Sequence, residues 1–110
     1  MKNTIAHIVV TGTATLSAAG VGVAAIQGLL RSGGDALTAM PFDVLDAEGY
    51  RWGKAGGFKA ADFMSPMKAR KMDRCSQFAV SLVGLALEDA GLDLKETPPE
   101  RIGIVLGSGF

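Results

Sequence analysis

The sequence predicts an α/β fold, and three observations predict it. Two short apolar runs rich in β-branched residues lie near the ends, at residues 5–11 (IAHIVVT) and 101–106 (RIGIVL). Two stretches of helical periodicity lie between them, at residues 18–31 and 67–90. A glycine-punctuated excursion separates the helices. The order is therefore strand, helix, irregular excursion, long helix, strand. Two strands, even with a short third, do not make a stable sheet alone, so the pattern reads as an incomplete first half of a larger α/β unit.

Each element has a local reason. Residues 5–11 read as a strand buried on both faces, with His7 a packed strand residue. Gly12 ends it. Ser17 is the expected N-cap of a helix over 18–31, with Val21, Ala24, Ala25 and Leu29 near one face. Gly20, Gly22 and Gly28 weaken that helix by propensity, so close packing must hold it. Ser32-Gly33-Gly34 stops it. Residues 35–58 are irregular, hold Phe42, Tyr50, Trp52 and Phe58, and allow a short strand over 50–55. Residues 59–64 predict one helical turn. Ser65-Pro66 opens the long helix over 67–90, with a bend expected near Asp73. In it Cys75, Phe78, Leu82 and Leu85 recur at helical spacing, as do Ala79, Val83, Leu87 and Ala90. Two apolar faces predict a helix buried nearly all round. Gly91 fits the position just past its end. Glu88 and Asp89 stand at the wrong end for the helix dipole, so they are expected to be solvated or paired elsewhere. Pro98-Pro99 marks a loop before the last strand.

Composition sets bounds. A chain of 110 residues is one domain, 1–110, with no internal boundary. Hydrophobic residues make up 48% and charged residues 20%, below the roughly 25% charged of an average soluble chain. A small domain needs more polar cover, so the shortfall predicts apolar surface that meets more protein. The formal net charge is zero, which argues against a general nucleic-acid binder. The single cysteine allows no intrachain disulfide and suits a reducing, cytoplasmic compartment. One histidine and one cysteine leave no zinc-ligand set, and no metal or cofactor is expected. Lys2, the apolar run and Ser17-Ala18-Ala19-Gly20 have the outline of a signal peptide. The run is short and is broken by Thr11, Gly12 and Thr13, so a buried first strand is preferred. The same breaks exclude a membrane-spanning helix.

Four groups have the residue types for chemistry. A strand followed by Gly12, Gly20 and Gly22 has the outline of a dinucleotide turn, but the compact G-x-G-x-x-G spacing is absent. Cys75 lies on the apolar face of a helix and reads as packing, not as a nucleophile. Lys68, Arg70, Lys71 and Arg74 form a basic cluster, and positions 70, 71 and 74 share one side of a continuous helix. Such a set steers an acidic partner or a phosphate, although a solvated helix face has the same composition. Residues 106–110 (LGSGF) form a glycine-rich turn after a strand, which lets backbone approach a ligand or another element.

These residues resemble a known family. The segments KARKMDRCSQFAVSLVGLALEDAGLDL and PERIGIVLGSG, with HIVVTGTATLSAAG ahead of them, are similar to the amino-terminal part of β-ketoacyl-acyl-carrier-protein synthases. The specific set is Arg70-Lys71-Met72-Asp73, Ser76-Gln77-Phe78-Ala79, Glu88-Asp89-Ala90-Gly91 and Gly107-Ser108-Gly109, in that order. The resemblance implies a thiolase-like fold and the condensing reaction of fatty-acid or polyketide synthesis. An acyl group is accepted on a cysteine and joined to a malonyl unit borne on the carrier protein, with decarboxylation. It implies an acyl carrier protein as partner, acyl and malonyl thioesters as substrates, and a homodimer or heterodimer. Arg70 and Lys71 match the family's carrier-facing cations, with Lys68 and Arg74 as neighbours; Met67 stands where the family has another cation. Phe110 matches a position lining the acyl pocket. Cys75 and His7 match neither the family's nucleophile nor its histidines, which lie later in its chains. The expectation is a piece inactive alone, with no catalytic residue of its own. Two other readings have the same features: a non-catalytic partner subunit of a condensing enzyme, and a stand-alone carrier-protein-binding module.

Overall fold

The computed structural model describes residues 5–41 and 49–109. Its first ordered unit is a tight antiparallel hairpin. β1 (Leu16–Ser17) pairs with β2 (Gly20–Val21), Leu16 opposite Val21 and Ser17 opposite Gly20. Ser17 Oγ accepts a hydrogen bond from Ala19 N at 3.2 Å, so it closes this turn and does not cap a helix. The helix predicted from residue 18 therefore begins later: α1 is Val23–Ser32, preceded by Gly22. The glycines explain the difference. Gly20 (φ 133°) and Gly22 (φ 91°) take backbone conformations that side-chain-bearing residues avoid, and these conformations form the hairpin. At the far end, Gly33 N and Gly34 N donate to Leu30 O and Leu29 O, as expected of a glycine stop.

The excursion contains a second two-residue ladder. β3 (Thr38–Ala39) pairs antiparallel with β4 (Arg51–Trp52), which lies inside the strand predicted over 50–55. Asp35 pins it. Its Oδ1 accepts from Leu37 N at 2.8 Å, and its Oδ2 pairs with the Arg51 guanidinium, which also donates to Leu37 O. These contacts, led by the Leu37 amide, hold the Asp35 carboxyl below its ordinary range.

The expected turn over 59–64 is a 3-10 turn at Ala60–Asp62. The long helix is two helices. α2 (Pro66–Ala69) is short, and α3 (Arg74–Ala90) starts afresh after a break at residues 70–73. Gly91 (φ 65°) terminates α3, with Gly91 N and Leu92 N closing back on Glu88 O and Leu87 O. Asp89 is paired elsewhere, as anticipated. Its Oδ2 accepts from Thr13 N at 2.8 Å and ties the amino-terminal segment to the end of α3. Gly12 lies against the same turn.

The core is small. Phe58 and Met64 are the buried apolar residues among those described, where the 60–62 turn meets α2 and the start of α3. Ser81 is also buried and donates through Oγ to Gln77 O at 2.8 Å. The two end runs depart from expectation. Neither residues 5–11 nor 101–106 join a ladder among the described residues, and both are exposed: Ile8 is 96% accessible and Val105 101%. His7 is exposed with its neighbours. A strand is completed by its partners' hydrogen bonds, and the two described ladders are elsewhere. α3 likewise falls short of burial all round, with Val83 47% accessible.

The consequence is a large open surface. The accessible area is 9337 Å², against roughly 5,800 Å² for a compact monomer of this mass. The Cα radius of gyration is 18.2 Å, against roughly 13 Å for a compact chain of this length. No helix among the described residues is long and apolar enough to cross a membrane.

Candidate functional site: the basic elbow between α2 and α3

The elbow is built by caps. Ser65 has extended backbone, its Oγ accepts from Lys68 N at 3.3 Å, and Pro66 occupies the first helical position. α2 then tightens: Lys71 N donates to Lys68 O at 3.2 Å and Met72 N to Ala69 O at 3.2 Å. These shorter-range bonds end the helix. Asp73 restarts it. Its Oδ1 accepts from Ser76 N at 2.7 Å, one of the donors that a helix start leaves without a partner. That contact with Ser76 holds the Asp73 carboxyl below its ordinary range.

Two further side chains hold the elbow. Gln77 Nε2 donates to Ala69 O at 3.0 Å and to Met72 O at 3.3 Å, so one amide of α3 reaches the last carbonyl of α2 and one within the break. Arg74 turns inward to aromatic rings. Its guanidinium carbon lies 4.7 Å from the Phe58 ring centre and 4.8 Å from that of Phe78. Its Nη2 donates to Phe58 O at 3.4 Å. Phe58 itself stacks on Phe63 at 5.5 Å and meets Phe78 edge-on at 4.9 Å.

Lys68, Arg70 and Lys71 remain on the outside. All three are exposed, and among the described residues none forms an ion pair. The predicted sharing of one helix side by residues 70, 71 and 74 does not hold as drawn. The break puts Arg70 and Lys71 on the turn, and Arg74 opens the next helix against the rings. Sequence reasoning quoted Gln77 without a role. The available signal was a lone amide beside Phe78 on an apolar helix, four residues past an N-capping Asp.

The other sequence candidates fall out as follows. Cys75 is exposed, not packed. It lies in the first turn of α3, where no described element covers it. It lines a recess of about 480 Å³ with Asp73, Arg74, Ser76 and Ser108, so the glycine-rich end of the chain comes close to the start of α3. Phe110 lies outside the described residues. The described residues contain no group of three His, Cys, Asp or Glu able to hold a metal ion.

Known proteins are similar to this sequence. The profile described as "Beta-ketoacyl synthase, N-terminal domain" matches residues 6–110. The chain is 36% identical over 105 residues to the tetracenomycin polyketide synthase ketoacyl synthase alpha subunit of Streptomyces glaucescens, covering 93% of this chain and 24% of that one. It is 35% identical over 105 residues to 3-oxoacyl-[acyl-carrier-protein] synthase 2 of Vibrio cholerae, covering 94% and 25%. It is 34% identical over 112 residues to the Staphylococcus aureus (strain COL) protein of that name, covering 94% and 25%. The chain thus spans about a quarter of the length of the curated relatives it matches. The basic elbow and the glycine-rich end both fall inside the matched region, and the chain belongs to the β-ketoacyl synthase family, within its N-terminal domain.

Proposed function

We propose that this chain is the amino-terminal segment, 1–110, of a cytoplasmic condensing enzyme with a thiolase-like fold, and that its elbow docks an acidic acyl carrier protein. The observation that carries the reading is the exposed trio Lys68, Arg70 and Lys71, free of ion pairs among the described residues, on a rigidly capped turn. Arg74, expected in the same cluster, is left out of the docking set because its guanidinium lies against the Phe58 and Phe78 rings. Cations without intramolecular partners raise the encounter rate with an acidic protein and set its register.

The reaction is decarboxylative condensation. The malonyl C–CO2 bond breaks and CO2 leaves. Its electron pair forms the new C–C bond at the acyl thioester carbonyl, and the enzyme's cysteine is released as thiolate. Cysteine and histidines for these steps are assigned outside residues 1–110, so the 110-residue chain alone is inactive. Phe110 lines the acyl pocket and narrows it toward shorter chains. The active form is a dimer, and it needs neither metal nor organic cofactor.

The test is binding of the full-length protein to an acidic acyl carrier protein. Lys71→Gln and Arg70→Gln should each weaken Kd by roughly two- to fivefold, the range of an exposed ion pair. The loss should shrink as salt rises. Unchanged Kd in the double variant overturns the docking role. Acyl-chain preference of Phe110→Gly tests the pocket: a shift toward longer chains is expected, and no shift removes Phe110 from it.

A further inference from the structure

The docking edge is held in shape by side chains that bond back to the chain itself. Resting on the docking role proposed above, we infer that Gln77 and Arg74 are positioning residues for carrier-protein recognition, and that Arg74 acts through the Phe58 and Phe78 rings and not as a docking cation. After Arg70 N, which still makes a helical bond to Pro66 O, the elbow at residues 70–73 is held by two shorter turn bonds, Lys71 N to Lys68 O and Met72 N to Ala69 O. Its carbonyls at Ala69 and Met72 are taken by the Gln77 amide at 3.0 and 3.3 Å. Without that amide Met72 O turns to water, Ala69 O keeps only its bond from Met72 N, and the turn loosens, so Lys68, Arg70 and Lys71 lose their fixed spacing. Arg74 sets the second coordinate. Its guanidinium bridges Phe58, ahead of the 60–62 turn, to Phe78 of α3. That turn packs against both α2 and α3, so the bridge fixes the angle between the helix that carries Lys68 and the helix that follows Lys71. A planar cation suits two rings and a carbonyl; an ammonium does not reproduce the stack. Preorganised cations bind a partner without ordering themselves at the moment of contact.

The experiment uses the full-length protein and an acidic acyl carrier protein of the fatty-acid type. Kd is measured well below the unfolding temperature at two salt concentrations, with amide exchange across residues 69–73. Gln77→Leu removes the amide at similar volume, and Arg74→Lys keeps the charge. Each should raise Kd roughly three- to tenfold, about the worth of one net hydrogen bond. Each should speed exchange at the elbow and leave the salt slope of log Kd unchanged, because no docking charge is lost. Lys71→Gln should do the opposite: flatten the slope and leave exchange alone. A merely structural role would lower the unfolding midpoint and leave Kd of the folded protein unmoved, and that result overturns the inference. If the two variants bind normally while Lys71→Gln weakens binding, positioning is wrong and docking stands. If Lys71→Gln also binds normally, docking itself fails and the inference with it. Should Gln77→Leu not fold, Arg74→Lys decides alone: wild-type Kd overturns the inference, and weaker binding at equal charge supports it.

Discussion

Gly12 and Gly28 are both glycines, yet replacing them with alanine should have opposite effects. A Cβ on Gly12 would fall 2.2 Å from Ala86 O and 2.7 Å from Ala90 Cβ, so α3 must shift to admit it. Gly12→Ala should destabilise by about 1–3 kcal/mol, the usual cost of overpacking. Gly28 sits within α1 with nothing within 4 Å of its added Cβ. Gly28→Ala should stabilise by roughly 0.5–1 kcal/mol through chain entropy. Urea midpoints of the full-length variants check both, and equal effects would refute the close approach at Gly12. The helix-weakening role of Gly28 was legible in the sequence, whereas Gly12 read as the end of a strand and part of a glycine turn, with no sign that α3 was the element it approaches. Cys75 shows the reverse limit. Its spacing from Phe78 and Leu82 pointed to burial, but periodicity reports a face without saying how far along the helix that face is covered. The basic residues were legible because charge on a turn needs no partner within the chain to be noticed. Gln77 was not, because its role depends on the carbonyls of Ala69 and Met72, which only the break brings within its reach.

At the level of elements, most caps were legible, Ser17 being the exception, and of the ladders only the strand at 51–52 was anticipated. Ser65-Pro66 and Gly91 behave as their chemistry requires, and Asp73, where a bend was expected, begins a separate helix. The strand runs at 5–11 and 101–106 have the right composition, but a strand's bonds lie on another segment, and composition cannot supply that segment. The hairpin at 16–21 was hidden by alanines that fit a helix until Gly20 and Gly22 adopt positive φ. Asp73 yields a pH prediction. Its folded pKa is lowered from the ordinary 3.8, so its cap contributes stability fully above that value. The contribution is lost as pH falls below it through the folded pKa. The protection factor of the Ser76 amide, its exchange rate relative to the unfolded chain at the same pH, should therefore fall in acid below that value in wild type. In Asp73→Asn, which keeps an oxygen acceptor but does not titrate as a carboxylate, that acid step should vanish. An identical acid step in the variant would assign it to another group.

For the whole molecule, the excess of accessible surface sets the expectation. The low charge content already suggested that apolar surface meets other protein, and the exposed runs around Ile8 and Val105 show where that surface lies. Expressed alone, residues 1–110 should bind an apolar dye and melt over a broad range, without a cooperative transition. A sharp calorimetric peak from a monomer would contradict that expectation. The contact between Thr13 and Asp89 also has a temporal side. It joins residues 76 apart in sequence, so the first segment has no α3 to rest on until the ribosome has made it. At usual synthesis rates that delay is roughly 4–15 s. Throughout it Gly12 and Thr13 lack their native contact, and the apolar residues 5–10 ahead of them stay exposed. For this family member a chaperone that meets residues 5–10 during synthesis would have an exposed apolar run to hold.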